Sequence, residues 1–117
     1  MAQSLAKVNV HIVYSTKNRQ PWLRDADLRS ELYAYNATIL KNEVDSPAII
    51  INGVEDHIHI LCPLSRKFAI MNVLKTSKTE TSKWIKKKDR ALKEFEWQGG
   101  YGIFSVSESH VPEGPRS

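Results

Sequence analysis

A chain of 117 residues, 41% hydrophobic and 26% charged, has the balance of a soluble globular protein and the length of one domain with a modest core. No apolar run reaches the roughly 20 residues of a membrane-crossing helix, and Met1-Ala2-Gln3-Ser4-Leu5 shows no basic segment leading into an apolar stretch, so no signal peptide is expected and a cytoplasmic location is. The net charge of +4 and pI near 9.3 are compatible with a nucleic-acid partner and argue for little else.

From about Ala6 to Tyr14, Val8, Val10, Ile12 and Tyr14 alternate with Lys7, Asn9, His11 and Val13, which predicts a strand with one mainly polar face. The segment from Ser15 to Leu23 reads as a loop. Asp25 is placed to cap a helix running to about Lys41, with Leu28, Leu32, Tyr35 and Ile39 on its inward face and Tyr35 in the core. Pro47 to Ile51 predicts a second strand, too apolar for an exposed edge. A turn around Gly53 then leads into a strand from His57 to Pro63, making an antiparallel hairpin. Ser65 is the expected cap of a second helix from about Arg66 to Arg90, whose stripe is Met71, Leu74, Lys78, Thr81 and Ile85. Phe95 to Gln98 can start another strand, Gly99-Gly100 is a bend, and Tyr101 to Ser107 is the last strand. No repeat, low-complexity tract or interdomain linker interrupts the order.

Strand, helix, strand, strand, helix, strand is the split βαβ, ferredoxin-like plan of an α+β domain. It predicts an antiparallel sheet with both helices packed on one face. In such a sheet His57 and His59 share one face and Ile58 and Ile60 the other, because the side-chain period of a strand is two. The two imidazoles, about 6–7 Å apart at the backbone, can converge on one metal ion, although a His-x-His in a strand is also compatible with a half-exposed sheet face. Cys62, the single cysteine, falls on the isoleucine face and reads as a buried thiol rather than a third ligand. Lys75, Lys78, Lys83, Lys86, Lys87, Lys88, Arg90 and Lys93 form a basic cluster, either a solvated helix face or a phosphate-binding one. Lys17, Arg19 and Arg24 surround Trp22, an indole that can stack on an unpaired base or cover the core.

Three segments resemble the short single-tyrosine HUH transposases of bacterial and archaeal insertion sequences. They are His11-Ile12-Val13-Tyr14-Ser15-Thr16-Lys17-Asn18-Arg19, Asn52-Gly53-Val54-Glu55-Asp56-His57-Ile58-His59-Ile60-Leu61, and Trp97-Gln98-Gly99-Gly100-Tyr101-Gly102-Ile103-Phe104-Ser105-Val106-Ser107. The resemblance spans residues 7–111 and implies one HUH transposase-like domain over residues 1–111, with an irregular tail at 112–117. It implies a DNA transposase, active as a homodimer on single-stranded DNA ends with hairpins, that uses Mg²⁺ or Mn²⁺ and no nucleotide cofactor. By the same resemblance, His57 and His59 hold the metal, and a tyrosine attacks the phosphate to give a 5′-phosphotyrosine link and a free 3′-hydroxyl. Because a neutral tyrosine is a poor nucleophile, the metal must neutralise and position the phosphate.

The same resemblance expects the tyrosine on a helix after Ser105-Val106-Ser107, with a glutamine ligand one turn later. Beyond Tyr101 these residues contain neither tyrosine nor glutamine, so the chain is expected to be truncated or inactive in strand cleavage. Tyr101 is the substitute to test. His110 can lend an imidazole or lie in solvent. The DNA-binding candidates are Lys17, Arg19, Trp22, Arg24, Lys75, Lys78, Lys83, Lys86, Lys87 and Arg90. Two other classes fit less well. An RRM-like binding module needs aromatic side chains on the open sheet face, and a two-histidine phosphoesterase needs a second His motif that the chain lacks.

Overall fold

Alternating apolar residues, β-branched at Val10 and Ile12, draw Asn9–Ser15 into an extended strand, β1, with Val10, Ile12 and Tyr14 buried. The computed structural model describes residues 8–106. After β1 come α1 (Ala26–Val44), β2 (Ile50–Val54), β3 (His57–Pro63), α2 (Ile70–Lys88) and β4 (Gly102–Val106), with single 3₁₀ turns at Lys17–Arg19 and Arg90–Leu92. The sheet order is β2-β3-β1-β4 and every pairing is antiparallel, which is the expected ferredoxin-like arrangement. The expectations for residues 107–117, His110 and the tail included, lie outside the described residues.

Both helices cover one face of the sheet. Val10, Ile12 and Tyr14 of β1 and Ile58, Ile60 and Cys62 of β3 meet Leu40 and Val44 of α1 and Val73 and Leu74 of α2. A second cluster of Leu23, Leu32, Ile85 and Phe95 closes the far end of the helix pair beneath Trp22 and Trp97. Burial pushes the Cys62 thiol up to about 11, so it is an inert core group, as its side of the strand predicts.

Several elements depart from expectation. α1 begins on the predicted cap, where the Asp25 side chain accepts from the Asp27 N–H at 2.9 Å, but continues to Val44. Its buried stripe is Leu32, Asn36, Leu40 and Val44, and Tyr35 is half-buried, stacked on Trp84 at 5.5 Å. β2 starts at Ile50 rather than Pro47 and lies at a sheet edge, with only its inward residues packed on the core. The hairpin turns at Glu55-Asp56, while Gly53 lies inside β2 opposite Ile58. A side chain at Gly53 would overlap the His57 carbonyl oxygen, so the glycine is required by close approach and not by the turn.

α2 begins at Ile70 without a side-chain cap. Ser65 Oγ instead accepts from the Lys67 N–H, a local turn that competes with helix initiation. Its buried stripe is Val73, Leu74, Ser77, Thr81 and Ile85, and Met71 is exposed. The hydroxyls in that stripe are satisfied: Tyr14 Oη donates to Ser77 Oγ at 2.5 Å, Ser77 Oγ donates to Asn36 Oδ1, and Trp97 Nε1 donates to Thr81 Oγ1. Phe95 to Gln98 forms no strand, only a bridge between Trp97 and Thr16.

Candidate metal centre on the helix-free sheet face

Alternation in β1 and β3 dictates what the helix-free face displays. The register pairs Ser15 with His57, Val13 with His59 and His11 with Leu61, so three histidines of two adjacent strands share one surface. All three are half-buried. The rings of His57 and His59 lie 4.9 Å apart between centroids, in keeping with the sequence spacing. The strand pattern marks His11 only as part of a polar face. Its ring is 5.2 Å from that of His59, with Nε2 3.0 Å from His59 Nδ1. The signal that reveals it is the register, which a single strand does not carry.

Each motif histidine has its Nδ1 engaged. Asp56, the second residue of the hairpin turn, accepts from His57 Nδ1 at 2.8 Å. That hydrogen bond, and beyond it Arg19, holds the Asp56 carboxyl below its ordinary 3.8. His59 is held below its ordinary 6.5, first by burial and then by the neighbouring His57 and His11. Because the Asp56 carboxylate accepts from Nδ1, His57 retains Nε2 as a donor for a cation, and a carboxylate behind a ligating imidazole is a recurring outer-shell device. Among the described residues no group of three or more His, Cys, Asp or Glu side chains is arranged to hold a metal. The two imidazoles therefore amount to two nitrogen donors, whose softness favours Zn²⁺ or Mn²⁺ over Mg²⁺.

The loop after β1 is built onto this centre. Thr16 N–H and Leu23 N–H donate to the Asp56 and Glu55 carbonyls, both at 2.9 Å, and Gln98 N–H donates to the Ser15 carbonyl. Within it Asn18 and Arg19 adopt left-handed backbone conformations, with φ of 57° and 56°. This is a strain of about 1–2 kcal/mol for Arg19, which asparagine tolerates better. Arg19 Nε lies 3.3 Å from Asp56 Oδ2, so one guanidinium reaches the rim of the histidine site. Lys17 is paired with Glu96 at 3.2 Å. Trp22 packs edge-on to Phe95 and, with Gln20, Pro21 and Arg24, lines a shallow cavity of about 330 Å³, so it both covers the core and offers a wall to a ligand.

The basic helix does not join this surface. α2 lies across the sheet from the histidines, and Lys75, Lys83, Lys86 and Lys87 are exposed opposite its buried stripe. Lys78 is half-buried, donating to the carbonyls of Gln98 and Gly100, with its pKa lowered by burial. It braces the glycine bend. Arg90 is exposed in the turn after α2. Tyr101 also sits with α2: its hydroxyl donates to Met71 Sδ and its ring lies near Lys78, on the side away from the histidines. Burial pushes Tyr14 up to about 12, and it faces the core.

Residues 4–113 match the model of a family described as IS200-like transposase. Among solved structures, one described as a candidate transposase from Deinococcus radiodurans R1 shares 19% identity. The match covers 90% of this chain and 83% of that one, with a TM-score of 0.76. A REP-associated tyrosine transposase bound to a REP hairpin shares 11% identity over 92% of this chain and 61% of its own length, with a TM-score of 0.64. At these identities both likenesses show the fold. No curated protein matches the chain.

Proposed function

The chain belongs to the family of IS200-like transposases, and from that premise we propose that it binds single-stranded, hairpin-forming DNA ends and holds a divalent cation, Mg²⁺ or Mn²⁺, between His57 and His59. The observation that carries this reading is the pairing of the two imidazoles on one sheet face with both Nδ1 atoms held in hydrogen bonds. A cation bound there neutralises charge on a scissile phosphate and orients it. Arg19, at the rim beside Asp56, and Lys17, two residues away, supply positive charge for the adjoining phosphates. A hairpin DNA bound by the REP-associated transposase of the same fold supports this class of partner. A homodimer acting in the cytoplasm belongs to the same reading.

We further infer that these 117 residues bind without cleaving. Tyr14 is buried and protonated, Tyr33 and Tyr35 lie on α1, Tyr101 lies against α2, and residues 102–117 contain no tyrosine. Incubation with hairpin-bearing single strands and Mn²⁺ should give a retarded complex on a native gel but no covalent complex on a denaturing one. A covalent adduct overturns the inference, and binding that survives His57→Ala/His59→Ala without any dependence on Mn²⁺ overturns the metal site. That second result would favour a non-catalytic RRM-like module. Against such a module, the two central strands, β1 and β3, present His11, Val13, His57 and His59 on the helix-free face, and the aromatic Phe104 is paired with His11 on the edge strand β4.

A further inference from the structure

We infer that His11 is the positioning residue of His59, accepting a hydrogen bond from His59 Nδ1–H through its own Nε2 and so presenting His59 Nε2 to the cation. This inference rests on the metal reading above and adds a residue to it.

Two ring nitrogens 3.0 Å apart must share a proton, since two lone pairs at that distance repel. Only two arrangements exist for neutral rings. If His11 donated, His59 would carry its own proton on Nε2 and its Nδ1 would be occupied, leaving no nitrogen to ligate. If His59 donates from Nδ1, its Nε2 lone pair is free. Metal binding by His59 and this contact are therefore compatible in one arrangement, with His11 as acceptor.

The same logic already holds next door, where Asp56 accepts from His57 Nδ1 at 2.8 Å. The two ligands thus have two different acceptors, a carboxylate for His57 and an imidazole for His59. The placement of His11 is rigid because β1 is a central strand, paired on one side with β3 and on the other with β4. His11 lies diagonally from His59, whose direct partner is Val13. A long planar side chain spans that diagonal, whereas a small one does not.

The test is the tautomer of His59, read from long-range ¹H–¹⁵N spectra of histidine-labelled, metal-free protein at mildly alkaline pH, together with Mn²⁺ affinity. The wild type should show His59 as the Nδ1–H form, the minor form of a free histidine. In His11→Ala the Nε2–H form should appear and Mn²⁺ should bind about 10–100-fold more weakly, the usual loss when an outer-shell partner is removed. His11→Gln, whose Oε1 can accept over the same reach, should restore most of both. Folding of each variant is checked by its backbone amide spectrum. The inference is overturned by a wild-type His59 in the Nε2–H form, by an unchanged His59 tautomer and affinity in His11→Ala, or by a Zn²⁺-loaded spectrum in which His11 Nε2 is itself ligated. A wild type that takes up no Mn²⁺ contradicts the metal reading and with it the purpose assigned to His11. Normal uptake with an indifferent His11→Ala contradicts the role of His11 alone.

Discussion

His57, Ile58, His59 and Ile60 are consecutive, yet the isoleucines are fully buried under the helices and the histidines half-buried on the opposite side. That division is legible in the alternation alone, because the period of a strand admits no other arrangement once one face is buried. The third imidazole and the role of Asp56 are not legible there, since they depend on register and on which residues form the turn. Gly53 hides its role for the same reason: its value lies in the close approach of β2 to the His57 carbonyl, not in a turn. Gly53→Ala should cost about 1–3 kcal/mol through forced backbone movement, measured by urea unfolding, and should also weaken Mn²⁺ binding. An unchanged midpoint would show that the hairpin yields freely.

His59 also makes stability depend on pH. Burial and two neighbouring histidines hold His59 below its ordinary 6.5. Below that pH the unfolded chain therefore takes up a proton that the folded chain resists, and stability falls with acidification until the folded His59 titrates. The unfolding temperature of the metal-free protein should decline from about pH 7 to about pH 5, and decline less in His59→Gln. Equal slopes would contradict it.

At the scale of elements, sequence periodicity places the two strands of the site well and the two helices less well. The stripe of α2 looks weak in its middle because Ser77 and Thr81 are polar, and only the tertiary structure shows why they are inside. Ser77 joins Tyr14 to Asn36, linking α2, β1 and α1 through one hydroxyl, while Thr81 receives Trp97. Ser77→Ala strands the buried Tyr14 hydroxyl and Asn36 amide oxygen and should destabilise by about 1–3 kcal/mol. A loss under about 0.5 kcal/mol, the lower end of one hydrogen bond's net worth, would mean that the network re-forms through Asn36 Nδ2, already 3.5 Å from Tyr14 Oη. α2 starts later than the sequence suggests because a serine that can cap can equally close a local turn, and Ser65 does the latter.

For the molecule as a whole, the order of elements and the sheet topology follow from hydrophobic periodicity, but the charge map does not. The positions of lysines along a chain say nothing about which side of a sheet they occupy. Most of the basic candidates on α2 project away from the histidines, whereas Lys17 and Arg19 lie in the loop hydrogen-bonded to the site's own end of the sheet. Binding of a hairpin-bearing single strand should weaken steeply with salt, and the log–log slope should shrink by about 0.7 for each phosphate that is no longer neutralised. Lys17→Ala and Arg19→Ala should each show that reduction in fluorescence anisotropy, and Lys83→Ala and Lys86→Ala should show less. The reverse ranking would move the DNA to the helix side.

The metal centre proposed on the helix-free face of the sheet can be measured directly. Calorimetric titration of Mn²⁺ into the chain, alongside the His57→Ala/His59→Ala variant, tests it without requiring DNA or turnover. One saturable site is expected in the wild type, and its loss in the variant. Equal binding by the two proteins, or no binding by the wild type, would contradict it.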